Sequence, residues 1–230
     1  RLMHLVSHPE EKKGRPELNE ADFLEDVYSH AMANSAHLQQ MMSSIAPEVL
    51  EAVLESKQYG KLRPPTVVDA DALNLLAAHP ELQALLDRQC LLTPHPGEMG
   101  GLIGQTAAQV QSARLQTARD FAAQYPDVVL VLKGAGTLVA HGSDAVCLNK
   151  TGNPGMARGG SGDMLAGMIG ALLAQGMDPR WAAVCGVYLH GLCGDVTARD
   201  LSQMAMLPTD MIERLPDVMA AMEKGVSPLH

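Results

Sequence analysis

The stretch "MARGGSGDMLAGMIGALLAQG", residues 156–176, joins a glycine-rich loop to an apolar run with the length of a helix. A helix that begins directly after glycines has backbone N–H groups without partners, and the glycines let an anion approach them closely. Asp163 falls in the first turn, where the helix dipole favours a carboxylate. The stretch therefore predicts a phosphate-binding helix start, with a plain helix cap beside a tight turn as the alternative interpretation.

Upstream of this stretch, short apolar segments alternate with helical patterns. Because strands alternate with helices, the pattern indicates an α/β fold with a largely parallel central sheet covered by helices on both faces. The predicted strands are TVVDA (66–70), CLLTP (90–94), VVLVLKG (128–134) and TLVAH (137–141), with AVCLN (145–149) a weaker one, and the predicted helices between them are ALNLLAAHPELQALLD (72–87) and AAQVQSARLQTARDFAAQY (107–125).

The two ends of the chain differ in texture from this centre. Residues 10–22 are charged and predict a solvated loop, whereas residues 43–56 predict a helix in which Ile45, Val49, Val53 and Leu54 recur at helical spacing. From Gly162 to Leu201 the pattern predicts two helices separated at Pro179, with Gly186, Gly191, Cys185 and Cys193 at packing positions and His190 as a hydrogen-bonded core or edge histidine.

Composition narrows the class of protein. With 230 residues, 47% of them hydrophobic, the chain predicts a single domain over 1–230, in which about the first 60 residues are divergent or shortened. A net charge of −9 argues against nucleic acid and anionic membranes as partners, so a small molecule is favoured. The absence of a long apolar run or a signal-peptide pattern predicts a cytoplasmic protein. Four cysteines without CxxC spacing predict buried free thiols and neither a zinc site nor disulfides.

Polar residues follow three of the predicted strands. Segment 67–74, VVDADALN, carries Asp69 and Asn74; segment 92–98, LTPHPGE, carries His95 and Glu98; segment 132–137, LKGAGT, begins a glycine-containing turn with Lys133. Because ligands of α/β sheets bind at the carboxyl ends of the strands, these segments and the helix start at 161 are expected to converge on one edge. Their spacing matches neither a Walker loop nor a GxGxxG fingerprint.

These four motifs, in this order, resemble those of the ADP/ATP-dependent NAD(P)H-hydrate dehydratase family. The resemblance covers about residues 45–220 and implies a ribokinase-like three-layer sandwich. It also implies an enzyme that uses ADP or ATP with Mg²⁺ to phosphorylate the C6 hydroxyl of hydrated NADH or NADPH, so that loss of phosphate regenerates the reduced coenzyme. A small-alcohol kinase of the same fold and a non-catalytic nucleotide-binding module are the alternatives, and the sequence does not choose between ADP and ATP.

The resemblance assigns roles to particular residues. Asp163 is implied to be catalytic and to bind substrate together with His95 and Asn74, while Asp69 and Glu98 are weaker candidates for substrate or magnesium-water contacts. No side chain is expected to ligate a metal directly. The implied nucleotide-binding residues are Lys133, Gly134, Ala135, Gly136, Thr137 and Gly162, and the residues implied to shape the anion site are Asn149, Asn153 and Met156.

The sequence also departs from the family pattern. The usual glycine-rich helix start and a GPGLG-like turn before TVVDA are missing, although LVSHPE at 5–10 resembles a family strand end. Arg158 stands where Thr is usual, and it could either neutralise phosphate charge or point to solvent. The resemblance implies a homo-oligomer, but the small-residue helices of the last third would pack equally well within one subunit.

Overall fold

Residues 47–55 and 64–229 are described in the computed structural model of the chain. All of them except Pro47 belong to one compact unit, Glu48–His230. The charged loop predicted over 10–22, the LVSHPE segment and Ile45 lie outside the described residues. The prediction of a single domain over 1–230 stays a prediction.

In the described residues, five strands form one sheet in which neighbours in space are also neighbours in sequence. Strands β1, β2 and β3 pair in parallel, β4 pairs antiparallel with β3, and β5 pairs antiparallel with β4. Strand β4 alone therefore runs against the others, which confirms the largely parallel sheet. The strands are β1 (Thr66–Val68), β2 (Cys90–Leu92), β3 (Val129–Leu132), β4 (Leu138–Ala140) and β5 (Cys147–Leu148).

Helices connect the parallel strands and follow the last strand. Residues 47–55 are also helical. The helices are α1 (Asp71–Ala78), α2 (Pro96–Ile103), α3 (Ala107–Ser112), α4 (Arg114–Gln124), α5 (Ser161–Ala174), α6 (Pro179–Leu201), α7 (Pro208–Glu213) and α8 (Leu215–Glu223), and short 3₁₀ turns occupy Pro80–Leu85 and Pro154–Met156.

Side chains that alternate along the strands fill two separate cores. On one face of the sheet, Leu92 and Leu130 pack with helices α1 to α4 and with the helical residues 47–55. On the other face, Leu91 and Val131 pack with α5 and α6. Because successive strand residues point to opposite faces, both faces of the sheet are buried, and the three-layer sandwich is confirmed.

Three sequence predictions about elements were wrong in detail. The helix predicted over 72–87 ends at Ala78, since Pro80 cannot continue its hydrogen bonding and a 3₁₀ turn follows. The helix predicted over 107–125 is broken at Ala113, whose ψ of 30° with φ of −132° departs from helical geometry. In the helix at 47–55, Val49 and Val53 are 54% and 42% exposed, whereas Leu54 is buried together with Leu50, which the predicted set did not include.

The four cysteines are all free thiols, as predicted, but only two are buried. Cys90 and Cys193 lie in the interior, and burial raises the pKa of the Cys193 thiol to about 11. Cys147 and Cys185 are partly exposed.

No helix among residues 47–55 and 64–229 has both the length and the apolar character that a membrane span requires.

Candidate active site

A cavity of about 930 Å³ lies at the carboxyl end of β3, between the β3–β4 turn and the start of α5. Its walls come from the turn 133–137, the loop 148–159, the first turn of α5 and the middle of α6, with His95 at one side. Segments that are distant in sequence thus meet here. The fold brings together every nucleotide-binding residue that the sequence suggested: Lys133, Gly134, Ala135, Gly136, Thr137 and Gly162.

A partly buried guanidinium holds the β3–β4 turn in place. Arg114 at the start of α4 donates to the carbonyl oxygens of Ala135 at 2.6 Å, Leu132 at 3.0 Å and Lys133 at 3.3 Å. Gly134 has a φ of 141°, and a Cβ there would lie 3.0 Å from the guanidinium, so no other residue fits without strain. The sequence motifs did not indicate Arg114 as part of the site, although an arginine on a helix that otherwise packs against the sheet could have indicated it.

Lys133 links two carboxylates at the floor of the site. Its Nζ lies 2.7 Å from Asp69 Oδ1, after β1, and 3.7 Å from Glu98 Oε2, in the first turn of α2. The three side chains are between 10% and 19% exposed, so water screens their charges only partly. The sequence prediction that polar groups of separate strand ends meet at one edge is confirmed for this trio.

His95 caps α2 through its ring. Its Nδ1 accepts the backbone N–H of Gly97 at 2.9 Å and of Glu98 at 3.2 Å, and the Glu98 carboxylate accepts the His95 backbone N–H at 2.7 Å. Since Nδ1 is an acceptor, the neutral ring carries its hydrogen on Nε2, which lies 3.3 Å from Glu98 Oε1. His95 lines the cavity, and its role as a substrate ligand stays a prediction.

The start of α5 offers free backbone amides to the cavity. Gly160 precedes the helix in the left-handed conformation, with φ of 88°, and no side chain caps the helix. A Cβ on Gly162 would lie 3.6 Å from Lys133 Nζ and 3.7 Å from Asp69 Oδ2, so the helix start adjoins this ion pair. This arrangement combines a positive helix terminus with a cation, as an anion site requires.

Two predicted substrate residues lie beyond the residues that line the cavity. Asp163 is in the first turn of α5, as predicted, and is exposed, with no hydrogen bond or ion pair to the described part of the chain. Asn74 is exposed on α1. Neither residue lines the cavity. Only a bound molecule could connect them with it, and their roles in catalysis and substrate binding stay predictions.

The loop before α5 is tied to α6 and to the segment after it. Asp195 on α6 accepts the Gly152 N–H at 2.8 Å and Asn153 Nδ2 at 3.0 Å, while Asn149 Nδ2 donates to Thr151 O at 3.0 Å. The sequence motifs did not indicate Asp195, an acid in the middle of a helix rich in Ala and Gly.

Arg158, also on this loop, is exposed and lines the cavity, so the two alternatives considered from sequence both stay open. Its guanidinium donates to the carbonyl oxygens of Gly155, Gln203 and Met204 and thus ties the loop to the segment after α6.

Mg²⁺ binds oxygen ligands, and the carboxylates near the helix start are those of Asp69 and Glu98. Within residues 47–55 and 64–229, no three His, Cys, Asp or Glu side chains are placed to hold a metal ion. Asp69 and Glu98 are both engaged with Lys133. These residues fit an ion that is held mainly by phosphate oxygens and water, with one or two carboxylates in support.

The three-layer fold and the anion site at α5 define the class as a ribokinase-like α/β protein. A solved ribokinase-like superfamily protein from Enterococcus faecalis superposes with a TM-score of 0.61 at 30% identity, covering 80% of this chain and 60% of the other. The chain belongs to the family described as NAD(P)H-hydrate dehydratase, whose model matches residues 40–217.

Relatives with assigned activities are also similar to large parts of this chain. A bifunctional NAD(P)H-hydrate repair enzyme of Moorella thermoacetica is 46% identical over 72% of this chain and 31% of its own length. An ADP-dependent (S)-NAD(P)H-hydrate dehydratase of Neisseria meningitidis is 47% identical over 57% of this chain and 45% of its own length. The crystal structure of an ADP/ATP-dependent NAD(P)H-hydrate dehydratase of Bacillus subtilis, co-crystallised with ATP/Mg²⁺, has a TM-score of 0.58 at 34% identity, with 68% of this chain and 56% of that one covered. The chain thus spans about a third to a half of the length of these relatives.

Proposed function

We propose that the chain is a nucleotide-dependent dehydratase that converts hydrated NADH or NADPH back to the reduced coenzyme, with ADP or ATP as phosphoryl donor and Mg²⁺ as its companion. The observation that carries the proposal is the cavity in which the α5 amides, the β3–β4 turn and Lys133 meet. Family membership and the activities of the relatives support the choice of substrate.

In this proposal the protein positions and neutralises the transferred phosphoryl group. The amides at the start of α5 and the Lys133 ammonium take up the charge of the phosphate oxygens. Mg²⁺, when bound with the nucleotide, supplies further charge neutralisation. The turn residues from Gly134 to Thr137 hold the nucleotide, and Arg114 keeps that turn in the geometry described above.

Asp163 is proposed as the general base. Its carboxylate accepts the proton of the C6 hydroxyl while that oxygen bonds to the terminal phosphorus and the phosphorus–oxygen bond to the nucleotide breaks. Phosphate then leaves C6 with its bonding electrons, and a proton is lost from C5 to form the ring double bond. His95 and Asn74 are proposed to bind the substrate beside this acid. The exposure of Asp163 supports this role, because its carboxylate is free to meet a ligand.

The test is incubation of the purified chain with hydrated NADH, Mg²⁺ and either ADP or ATP, with absorbance of the reduced nicotinamide as the readout. Nucleotide-dependent recovery of NADH is expected, with AMP formed from ADP or ADP from ATP in equal amount. Nucleotide binding without recovery would contradict the dehydratase and indicate a binding module. Transfer to a small alcohol instead would indicate a kinase.

A homo-oligomer located in the cytoplasm completes the proposal, and the family resemblance supports the assembly. Light scattering of the purified chain tests the assembly, and a monomer at micromolar concentration would contradict it.

A further inference from the structure

A buried histidine and a buried serine face each other across the wall of the cavity. His190 on α6 places its Nε2 3.3 Å from the Oγ of Ser161, the first residue of α5. Each is only 8% exposed, and both line the cavity. The pair is held by close packing of the two helices, since a Cβ on Gly186 of α6 would lie 2.6 Å from Ile169 of α5. Its geometry is therefore fixed before any ligand binds.

The ring of His190 is neutral near pH 7. Burial lowers the pKa of His190 to about 4, so the imidazole carries one N–H and one lone pair. In the described part of the chain the ring has no hydrogen-bond partner other than Ser161. The backbone of Ser161 also accepts a hydrogen bond from the ring, which works against the lowering of the His190 pKa. The ring nitrogen that faces Ser161 is Nε2, so a hydrogen on Nε2 has its acceptors in that residue.

The tautomer decides what Ser161 can offer to a ligand. If Nε2 accepted the Ser161 hydroxyl hydrogen, the serine would turn only lone pairs toward the cavity, which disfavours an anion. If Nε2–H donates to Oγ, the hydroxyl hydrogen remains free for an oxygen of the ligand. The second arrangement adds one donor beside the amides of the α5 start, at the point where the proposed function places the transferred phosphate.

We propose that His190 is a positioning residue: as its Nε2–H tautomer it donates to Ser161 Oγ and thereby directs the Ser161 hydroxyl hydrogen to a nucleotide phosphate oxygen. The inference rests on the proposed nucleotide site, but it does not require that the chain act on hydrated NADH. Ser161 is the contacting group, and His190 acts only through it.

A double-mutant cycle with ADP and Mg²⁺, measured by titration calorimetry, tests the coupling. Ser161→Ala removes a hydrogen bond to a charged group and should raise the Kd for ADP roughly 10- to 100-fold. His190→Phe keeps a ring but removes the donor and should raise Kd roughly 3- to 10-fold. Since one acts through the other, the double variant should bind no more weakly than Ser161→Ala alone.

Two further variants separate positioning from general damage. His190→Gln retains a side-chain N–H and should keep the Kd within about 3-fold of the wild-type value. Thr197→Val, which removes a buried hydrogen bond from the same helix, should leave the Kd unchanged. If His190→Phe does not fold, His190→Leu replaces it in the cycle. Strictly additive losses from Ser161→Ala and from the donor-removing variant would overturn the proposal.

The tautomer itself has a spectroscopic signature. Long-range ¹H–¹⁵N spectra, with His190 assigned by comparison with His190→Gln, should report hydrogen on Nε2 in the ADP complex. Hydrogen on Nδ1 would overturn the proposal. A wild-type chain that does not bind ADP would overturn the nucleotide site and this inference together, whereas wild-type binding with unchanged affinity in Ser161→Ala would overturn this inference alone.

Discussion

At the scale of single residues, a substitution of Asp163 distinguishes a catalytic role from a role in helix capping. Asp163→Asn is nearly isosteric and is tolerated at a helix start, but it removes the proposed proton acceptor. Turnover should fall on the order of 10²–10⁴-fold, while affinity for ADP holds or rises because a negative charge beside the phosphates is lost. The readouts are NADH recovery and calorimetry with ADP.

The matched control is Asp217→Asn, which changes another exposed acid in the first turn of a helix, α8. It should keep full turnover. Near-normal recovery of NADH by folded Asp163→Asn would exclude the general-base role.

Lys133 tests the nucleotide side of the site. Lys133→Ala removes the cation next to the α5 start and takes the Lys133 ammonium away from the carboxylates of Asp69 and Glu98. The Kd for ADP should rise roughly 10-fold or more, because a charge-assisted contact is lost and two acids are left near the phosphates. Calorimetry measures the effect, with Lys224→Ala, at the exposed residue directly after α8, as the control. Equal affinities of Lys133→Ala and wild type would contradict the assignment.

Much of the candidate site follows from sequence because its residues sit directly after strands. Lys133, Asp69 and Glu98 lie close together since the carboxyl ends of parallel strands share one edge. Arg114, Asp195 and His190 could not be placed in the same way. They reach the site from helices, Arg114 from the first residue of α4 and the other two from the middle of α6. Which helix face meets a loop depends on tertiary packing.

At the scale of helices and strands, α5 and α6 depend on small residues at their contact. Gly186→Ala should lower the free energy of unfolding by roughly 1–3 kcal/mol, because the new methyl group would lie 2.6 Å from Ile169. Urea denaturation measures the change. Gly167→Ala on α5, where a Cβ meets nothing within 4 Å, should raise the free energy of unfolding by up to about 1 kcal/mol. The same effect from both substitutions would contradict the packing argument.

The order and type of the described elements were largely predictable, and their interruptions were not. Strong β-branched and apolar runs at 128–134 predicted β3 correctly. The break at Ala113 has no glycine or proline to announce it. It separates Val110, buried under α3, from Ala118 and Phe121, buried under α4, and it starts a new helix at Arg114. Tertiary contacts therefore override helix propensity at this point.

At the scale of the whole molecule, His190 makes stability depend on pH. Its pKa is lowered to about 4 in the folded chain, so between pH 6.5 and 4 the unfolded chain binds the proton more readily. Stability must fall as the pH decreases through this range, by about 2 kcal/mol between pH 7 and pH 5 from this residue. Urea denaturation at both values, for wild type and His190→Gln, measures it.

The substitution leaves the carboxylates and the other histidines in place, so the difference between the two proteins isolates His190. The variant should lose about 2 kcal/mol less than the wild type on acidification. Equal losses in both proteins would mean that His190 is accessible to protons in the folded state.

The reversal of β4 has a kinetic consequence. The turn 133–137 closes the hairpin of β3 and β4, in which Leu130 pairs with Ala140 and Leu132 pairs with Leu138. Arg114 donates a hydrogen bond to a backbone carbonyl of this turn. Lifting that turn would require sheet hydrogen bonds to break. The opposite wall is the loop 148–159, which begins on the same sheet, where Leu148 pairs with Leu138. Its later part is held by side-chain hydrogen bonds from Asp195 and Arg158. Exchange of the spent nucleotide for a fresh one is therefore expected to pass over the loop, and loosening Asp195 should speed product release rather than alter the hairpin.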